Sequence, residues 1–437
     1  MKAEIIAVGS ELLTPDRLDT NSLFLTRRLN QLGVAVARKT IVGDEHDQLR
    51  DVFREALSRA ELVISTGGLG PTLDDLTREA VADLLGRKLQ LNEGVLRRIE
   101  GRFRRLGRTM SENNKRQALV PEGADVLENP VGTAPGLWLE PEGRGLYLQP
   151  ALNIGRVLVL LPGPPPELQA IFTQHVEPRL ARLSSGLRLY SRELRVAGLP
   201  ESEVDQRAAP IYSACTDVQT TILAAPGEIQ IHLRSWSHDA DAAERTLKEL
   251  VERLTLALGE SVFTTSGESL EQAVARELTR NQATIAAAES CTGGLLAERL
   301  TRVPGSSAYF RGGVVCYSND LKTTWVDVPP ELIESQGAVS SAVAQALAAG
   351  IRRRAGATLG VGITGIAGPA GGSPEKPVGL VHIALAGALS GSERSAQLSG
   401  DRERIRWQAS QLALDLVRRY LLHLPPGAPS RAARGLN

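Results

Sequence analysis

Apolar and polar positions along the chain fall into blocks that switch between the two periods of regular structure. Ala3–Val8 is a short apolar run, as expected of a strand buried on both faces. Leu25, Leu29 and Leu32 then share one helical face, and Gly33 supplies a left-handed stop. Val34–Val42 reads as a second strand. Leu49, Val52, Phe53, Ala56, Leu57 and Ala60 return to the helical period, and Leu62–Thr66 is another buried strand. Strands that alternate with helices in this way predict a three-layer α/β segment over 1–182, its sheet mostly parallel. Ligands on such sheets sit beyond the carboxyl ends of the strands, so Gly9–Glu11 and Gly67–Gly70 are expected to wall a site.

The pattern changes over 186–265. Leu187–Val196 and Glu228–Arg234 read as strands, Glu201–Ala209 and Ala242–Leu258 as helices, which predicts a small two-layer α+β module. A second α/β segment is expected over 267–424. Its helices are Leu270–Asn281, Ser341–Arg354 and Arg402–Leu422. Its strands are Thr284–Ala288, Gly313–Tyr317, Leu359–Thr364 and Val378–Ala386. Residues 425–437, PPGAPSRAARGLN, read as a disordered tail. A chain of 437 residues is long for one core, in keeping with a multidomain α/β protein.

Composition narrows the function classes. Lys+Arg and Asp+Glu both number 50 and aromatics are 4%, so neither a general nucleic-acid binder nor a stacking platform is indicated. The three cysteines, Cys215, Cys291 and Cys316, are scattered without the spacing of a zinc site or a disulfide framework. A cytoplasmic location is expected, since MKAEIIAVGSELL is interrupted by Glu4 and Glu11 and no run has the length of a membrane span.

The chemistry concentrates in TIAAAESCTGG, Thr284 to Gly294, where an apolar strand meets Ser290, Thr292 and two glycines before a helix. A serine held in such a turn can serve as a nucleophile, and the backbone amides of Thr292, Gly293 and Gly294 are the expected oxyanion donors. Lys322 in CYSNDLK is the candidate base, with Tyr317 to orient the proton, because a buried lysine loses its proton readily. Taken singly these residues have plainer roles: a capping serine, a solvated lysine, a packed tyrosine. Cys291 is a rival nucleophile without a nearby histidine. The glycine-rich stretch Ile363–Gly379 can wrap an anion, with Lys376, Arg402 and Arg406 as phosphate partners or as ordinary solvated charges.

ESCTGG, VPGSSAYFRGGVVCYSN, GAVS, ITGIAGPAGG, EKPVG and SGDRE occur in that order, and together they resemble the CinA C-terminal domain, the nicotinamide mononucleotide deamidase family. The resemblance implies hydrolysis of nicotinamide mononucleotide to nicotinate mononucleotide and ammonia, with no cofactor. It places Ser290, Tyr317 and Lys322 in the catalytic group, and Ser318, Asn319, Thr364, Gly365, Gly368, Lys376 and Arg402 at the substrate. The chain departs from the family at Ala370, where an aspartate is usual.

In the first segment TGGLGPTLDD, Thr66 to Asp75, sets a glycine turn at a strand end before two carboxylates. Amides around Gly67, Gly68 and Gly70 would hold a phosphate, and Glu11, Asp74 and Asp75 a divalent metal such as Mg²⁺; helix capping is the alternative for the aspartates. NPVGTAPG (Asn129–Gly136) and LPGPPPE (Leu161–Glu167) are rigid loops. These motifs resemble the CinA N-terminal domain, similar to molybdopterin-binding proteins of the MoaB/MogA type, and imply a metal-dependent ADP-ribose pyrophosphatase. Pro15 departs from a position often held by glycine. The middle segment sits where CinA proteins carry a KH-like module. Expected partners are therefore small nucleotides, with no membrane or direct nucleic-acid partner, in a homodimer. A competence or DNA-damage adaptor, or a molybdopterin-binding protein without amidase activity, is the alternative reading.

Overall fold

The structure is a computed structural model and describes residues 1–140, 156–183, 186–388 and 391–424; the expected tail at 425–437 lies outside the described residues. The chain divides into two compact units, Met1–Tyr190 with Trp236–Ala243, and Ser191–Ser235 with the chain from Glu244 onward.

In the first unit the strands are β1 (Lys2–Val8), β2 (Ala35–Val42), β3 (Leu62–Thr66), β4 (Leu89–Leu91), β5 (Leu119–Pro121), β6 (Asp125–Leu127), β7 (Gly136–Leu139) and β8 (Val157–Leu161). The main sheet runs β2-β1-β3-β8-β7-β6, parallel through β8 and antiparallel beyond it. Successive residues of the apolar runs point to opposite layers. Ile5 and Ile64 join Leu25 and Phe172 on one face, and Ile6 and Val63 join Phe53, Leu57 and Val81 on the other. These layers are α1 (Thr20–Gln31) with α5 (Pro165–Ile171) and α6 (Glu177–Leu183), and α2 (His46–Arg59) with α3 (Thr77–Leu84). Burying an isoleucine such as Ile5 or Ile6 contributes about 1.5–3 kcal/mol, and only a sheet covered twice buries both. The β4–β5 pair and α4 (Glu93–Arg105) form a side lobe over Val95, Ile99 and Ala118. Asn92 caps α4 by accepting from the amides of Gly94 and Val95.

The second unit begins with the sheet β10-β11-β9-β12, built from β9 (Arg188–Ala197), β10 (Gln219–Ala225), β11 (Glu228–Ser237) and β12 (Val262–Thr264), with α7 (Glu201–Tyr212) and α8 (Ala240–Leu258). β10 was not expected, because its polar QTTI start hides the alternation. It exists because a two-residue turn at Pro226–Gly227 folds it antiparallel onto β11, pairing Ala225 with Glu228 and Gln219 with Arg234.

The sheet that follows runs β14-β13-β15-β16-β17, from β13 (Ile285–Glu289), β14 (Phe310–Val315), β15 (Leu359–Gly365), β16 (Leu380–Ala386) and β17 (Ser392–Gln397). β13, β14 and β15 are parallel, and β16 and β17 antiparallel. One face packs on α9 (Leu270–Arg280), α10 (Leu295–Thr301) and α14 (Arg402–Leu422) through Ile285 and Ala287. The other meets α11 (Asn319–Val326), α12 (Pro330–Gln336) and α13 (Ser341–Arg354) through Ala286 and Ala288. Helix α13 approaches β15 so closely that a Cβ on Gly362 would lie 2.2 Å from the Ala344 carbonyl oxygen. β14 starts and stops three and two residues before the expected Gly313–Tyr317. Its extent is set by its partner, Ile285 pairing with Phe310 and Glu289 with Val315. The expected strand from Val378 begins at Leu380, after Gly379 turns with φ +95°. Among the described residues no helix is long and apolar enough to cross a membrane.

Candidate active sites at two strand-end crevices

In the last sheet the chain leaves β13 first toward β14 at the edge and then returns to β15 on its other side, so the carboxyl ends of these strands flank a switch point. Ser290 follows β13, Cys316 and Tyr317 follow β14, and Thr364 and Gly365 end β15. The Ser290 turn is pinned from both sides. The Ser290 amide donates to the Ile363 carbonyl at 3.0 Å, and the Cys316 amide donates to the Glu289 carbonyl at 2.9 Å. Gly293 and Gly294 adopt φ of +61° and +94°, a left-handed turn that suits glycine. Glu289, 1% exposed, caps the helix that follows, its carboxylate accepting from the amides of Gly294 and Leu296 at 3.0 Å and Ala297 at 2.8 Å.

Two of the three expected oxyanion donors, Gly293 and Gly294, are already engaged. The Gly294 amide is taken by Glu289 and the Gly293 amide by the Ser290 carbonyl at 3.1 Å. The amides of Cys291 and Thr292 face the Cys291 sulfur and have no backbone acceptor among the described residues, which leaves them as the candidate donors beside Ser290. The Thr292 hydroxyl is buried without a partner there, and its carbonyl accepts two bonds from Arg406, Nε at 3.1 Å and the terminal nitrogen at 2.7 Å.

Lys322 is 2% exposed, on the helix whose first residue follows the Ser318 cap. Its Nζ donates to the Tyr317 carbonyl at 3.2 Å and forms no ion pair among the described residues. Burial lowers its pKa, opposed by the nearby Cys316, Cys291 and Tyr317 groups. Burial pushes the Cys291 thiol up to about 12, which removes it as a rival thiolate at neutral pH. The Ser290 hydroxyl makes no hydrogen bond to the protein among the described residues. The Tyr317 phenol is exposed and accepts from Arg402 at 2.9 Å, while Arg402 also donates to the Gly368 carbonyl at 2.7 Å. Thr364 donates to the Ala338 carbonyl at 2.8 Å and Lys376 to the Gln336 carbonyl at 2.7 Å, so both brace the segment after α12. Asn319 is exposed at the start of α11. Glu289 and Arg406 are the contributors that sequence reasoning missed or set aside. The visible signal for the first was an acid ending a wholly buried strand.

The first unit has a matching crevice at the ends of β1, β3 and β8, a cavity of about 380 Å³ lined by Glu11, Gly67, Gly68, Gly70, Asp74 and Asp75. Every residue expected in the second site lines it, and Asp44, Gln117 and Glu167 were missed. The glycine loop turns its carbonyls inward. Thr77 donates to Gly67 and Gly68, and the buried Arg78 to Leu69 at 2.6 Å and Gly70 at 3.0 Å. The amides of Gly68, Leu69 and Gly70 are left without acceptors among the described residues, an arrangement suited to an anion. The expected trio Glu11, Asp74 and Asp75 is not assembled as a ligand set, since no group of three such side chains placed to hold a metal occurs among the described residues. Asp75 instead closes its own turn, accepting from the Thr72 amide at 2.8 Å and from the Thr72 hydroxyl.

Two strand-end crevices on separate doubly wound sheets define a multidomain α/β protein. Family models match in series: "Probable molybdopterin binding domain" over 4–182, "Damage-inducible protein CinA KH domain" over 191–264 and "CinA C-terminal domain" over 267–421. A CinA-like protein of Koribacter versatilis is 52% identical, covering 97% of this chain and 100% of the relative. One from Solibacter usitatus is 48% identical over 96% of this chain and 98% of its own length. The competence/damage inducible protein CihA from Agrobacterium tumefaciens is a solved structure 38% identical over 35% of this chain and 94% of its own, with a TM-score of 0.34. The chain belongs to the CinA family.

Proposed function

We propose that the second unit is an amidase that hydrolyses nicotinamide mononucleotide to nicotinate mononucleotide and ammonia. The observation that carries the reading is Lys322, an amine 2% exposed with no acid partner among the described residues, beside a serine turn at the end of the neighbouring strand. Burial lowers the Lys322 pKa, and in its neutral form the amine takes the Ser290 proton as Oγ attacks the carboxamide carbon. The tetrahedral oxyanion is received by the Cys291 and Thr292 amides, each such donor contributing about 2.7–4 kcal/mol. Lys322 returns the proton to the leaving nitrogen as the C–N bond breaks. Water then attacks the Ser290 ester as Lys322 takes its proton, and Lys322 returns that proton to Ser290 Oγ as the ester C–O bond breaks, which releases nicotinate mononucleotide and restores the serine. Arg402, beside Gly368 and Tyr317, is the proposed contact for the substrate phosphate.

In the first unit the free amides of Gly68, Leu69 and Gly70 support the second activity, cleavage of ADP-ribose at its pyrophosphate. The carboxylates of Glu11 and Asp74 are oxygen donors that fit a Mg²⁺ held by one or two side chains and by substrate phosphates. Such an ion would supply charge neutralisation at the pyrophosphate, while the glycine amides orient it.

The test is ammonia release by the purified full chain from nicotinamide mononucleotide, with nicotinamide as the comparator that lacks ribose and phosphate. Release from the nucleotide only is expected; no release from it refutes the amidase.

A further inference from the structure

The first unit carries another cavity that neither activity uses. It lies beside α4, measures about 650 Å³, and is lined by Arg98, Arg102, Arg104 and Arg105. Arg98, Arg102 and Arg105 recur at helical spacing, so α4 presents them as one stripe. Arginines in a last turn complement the helix dipole. That does not account for Arg98, nor for a cavity at the stripe. Its floor includes Val95 and Ile99, both 2% exposed.

The positive charge is poorly matched. Glu128 is the one acid among the lining residues, and the nearest approach of Arg98 to it is 3.9 Å. Arg102 is held by neutral acceptors, the carbonyls of Pro130 and Val131. Arg104 and Arg105 are exposed and have no acceptor among the described residues. The cavity also adjoins the glycine-loop site, because Thr133 lines both. The wall between them is fixed by Asn129, which donates to Ala134 at 2.7 Å and Glu167 at 2.6 Å and accepts from the amides of Val131 and Gly132.

We infer that this arginine cleft binds the phosphate of a nucleotide-sized anion. Guanidinium forks match phosphate oxygens, the apolar floor suits a flat ring, and the volume lies within the roughly 300–1,000 Å³ of small-ligand sites. A nucleic-acid strand fits less well, since no aromatic is among the described residues that line the cleft for bases to stack on. The inference rests on the cleft and stands whether or not the neighbouring site cleaves ADP-ribose.

Titration calorimetry of the full chain with ADP, with adenosine, and with a single-stranded DNA 20-mer tests it. The variants are Arg104→Gln/Arg105→Gln and Arg98→Gln, with melting curves to check folding. ADP is expected to bind at least about tenfold more tightly than adenosine, and each variant to weaken ADP by about tenfold while leaving adenosine unchanged. ADP affinity unchanged in both variants overturns the inference. So does wild-type protein that ignores ADP, or that prefers the 20-mer with the same arginine dependence. Cleavage of ADP-ribose, measured separately on wild type, reports on the neighbouring site alone.

Discussion

Replacing Arg299 by methionine should destabilise the second unit by about 3–5 kcal/mol, the usual loss when one partner of a buried ion pair is removed. Arg299 lies on the helix that follows the nucleophile turn and is 1% exposed. Its guanidinium donates to Glu271 at 2.6 Å, Ser410 at 2.8 Å and Gln411 at 2.5 Å, and stacks 4.1 Å from the Trp407 ring. Methionine keeps the packing of the stem but leaves the Glu271 carboxylate buried without its cation, held only by the Ser269 and backbone hydrogen bonds. In a unit of this size each kcal/mol moves the melting midpoint by about 2–4 °C, so calorimetry at pH 7 should show a fall of about 6–20 °C. The pH dependence has a definite sign. Burial pushes the Glu271 carboxyl up, but Arg299, together with the backbone and Ser269 hydrogen bonds, more than offsets it, leaving the group below its ordinary value. Its contribution is therefore present above the unfolded carboxylate value of about 4.3 and is lost as pH falls toward and through the lower folded value. The gap between wild type and Arg299→Met should narrow on acidification. Adding Glu271→Leu should restore most of the loss at pH 7. A destabilisation below about 1 kcal/mol, or one that Glu271→Leu deepens, refutes the reasoning.

Lys322→Met should lower kcat by about 10²–10⁴, the usual share of a general base. In wild type, ammonia release should rise as pH climbs through a midpoint below 10.5, since burial depresses the Lys322 pKa and only the neutral amine accepts the serine proton. The same burial makes the protonated amine unfavourable in the fold, so Lys322→Met should gain melting temperature over wild type most at acid pH and least near pH 10. Glu289→Ala strands the amides of Gly294, Leu296 and Ala297 and should cost about 2–4 kcal/mol by denaturant unfolding, with Glu289→Gln recovering part. Gly362→Ala forces a Cβ to 2.2 Å from the Ala344 carbonyl and should destabilise by about 1–3 kcal/mol in the same assay.

The buried strands were the most legible elements. Ala3–Val8, Leu62–Thr66 and the run before Glu289 are mostly apolar and buried on both faces, and that pattern suits a strand covered by two helical layers. β17, SERSAQ, carries no such run; it is an edge strand half open to solvent, and only its pairing with β16 makes it a strand. The serine turn and the glycine loop were readable because each is local. Arg406 was not, since the carbonyl it holds belongs to Thr292, 114 residues earlier in the chain. Two of the three expected oxyanion donors were misjudged for a related reason: the Gly294 amide is consumed by Glu289 and the Gly293 amide by the Ser290 carbonyl, and a carboxylate five residues before Gly294 does not fit a common capping pattern.

The account turns on Ser290. Ammonia release from nicotinamide mononucleotide by the full chain should fall to background in Ser290→Ala and persist in Cys291→Ala, with both variants melting close to wild type. Release that survives Ser290→Ala, or that is lost only with Cys291, contradicts it.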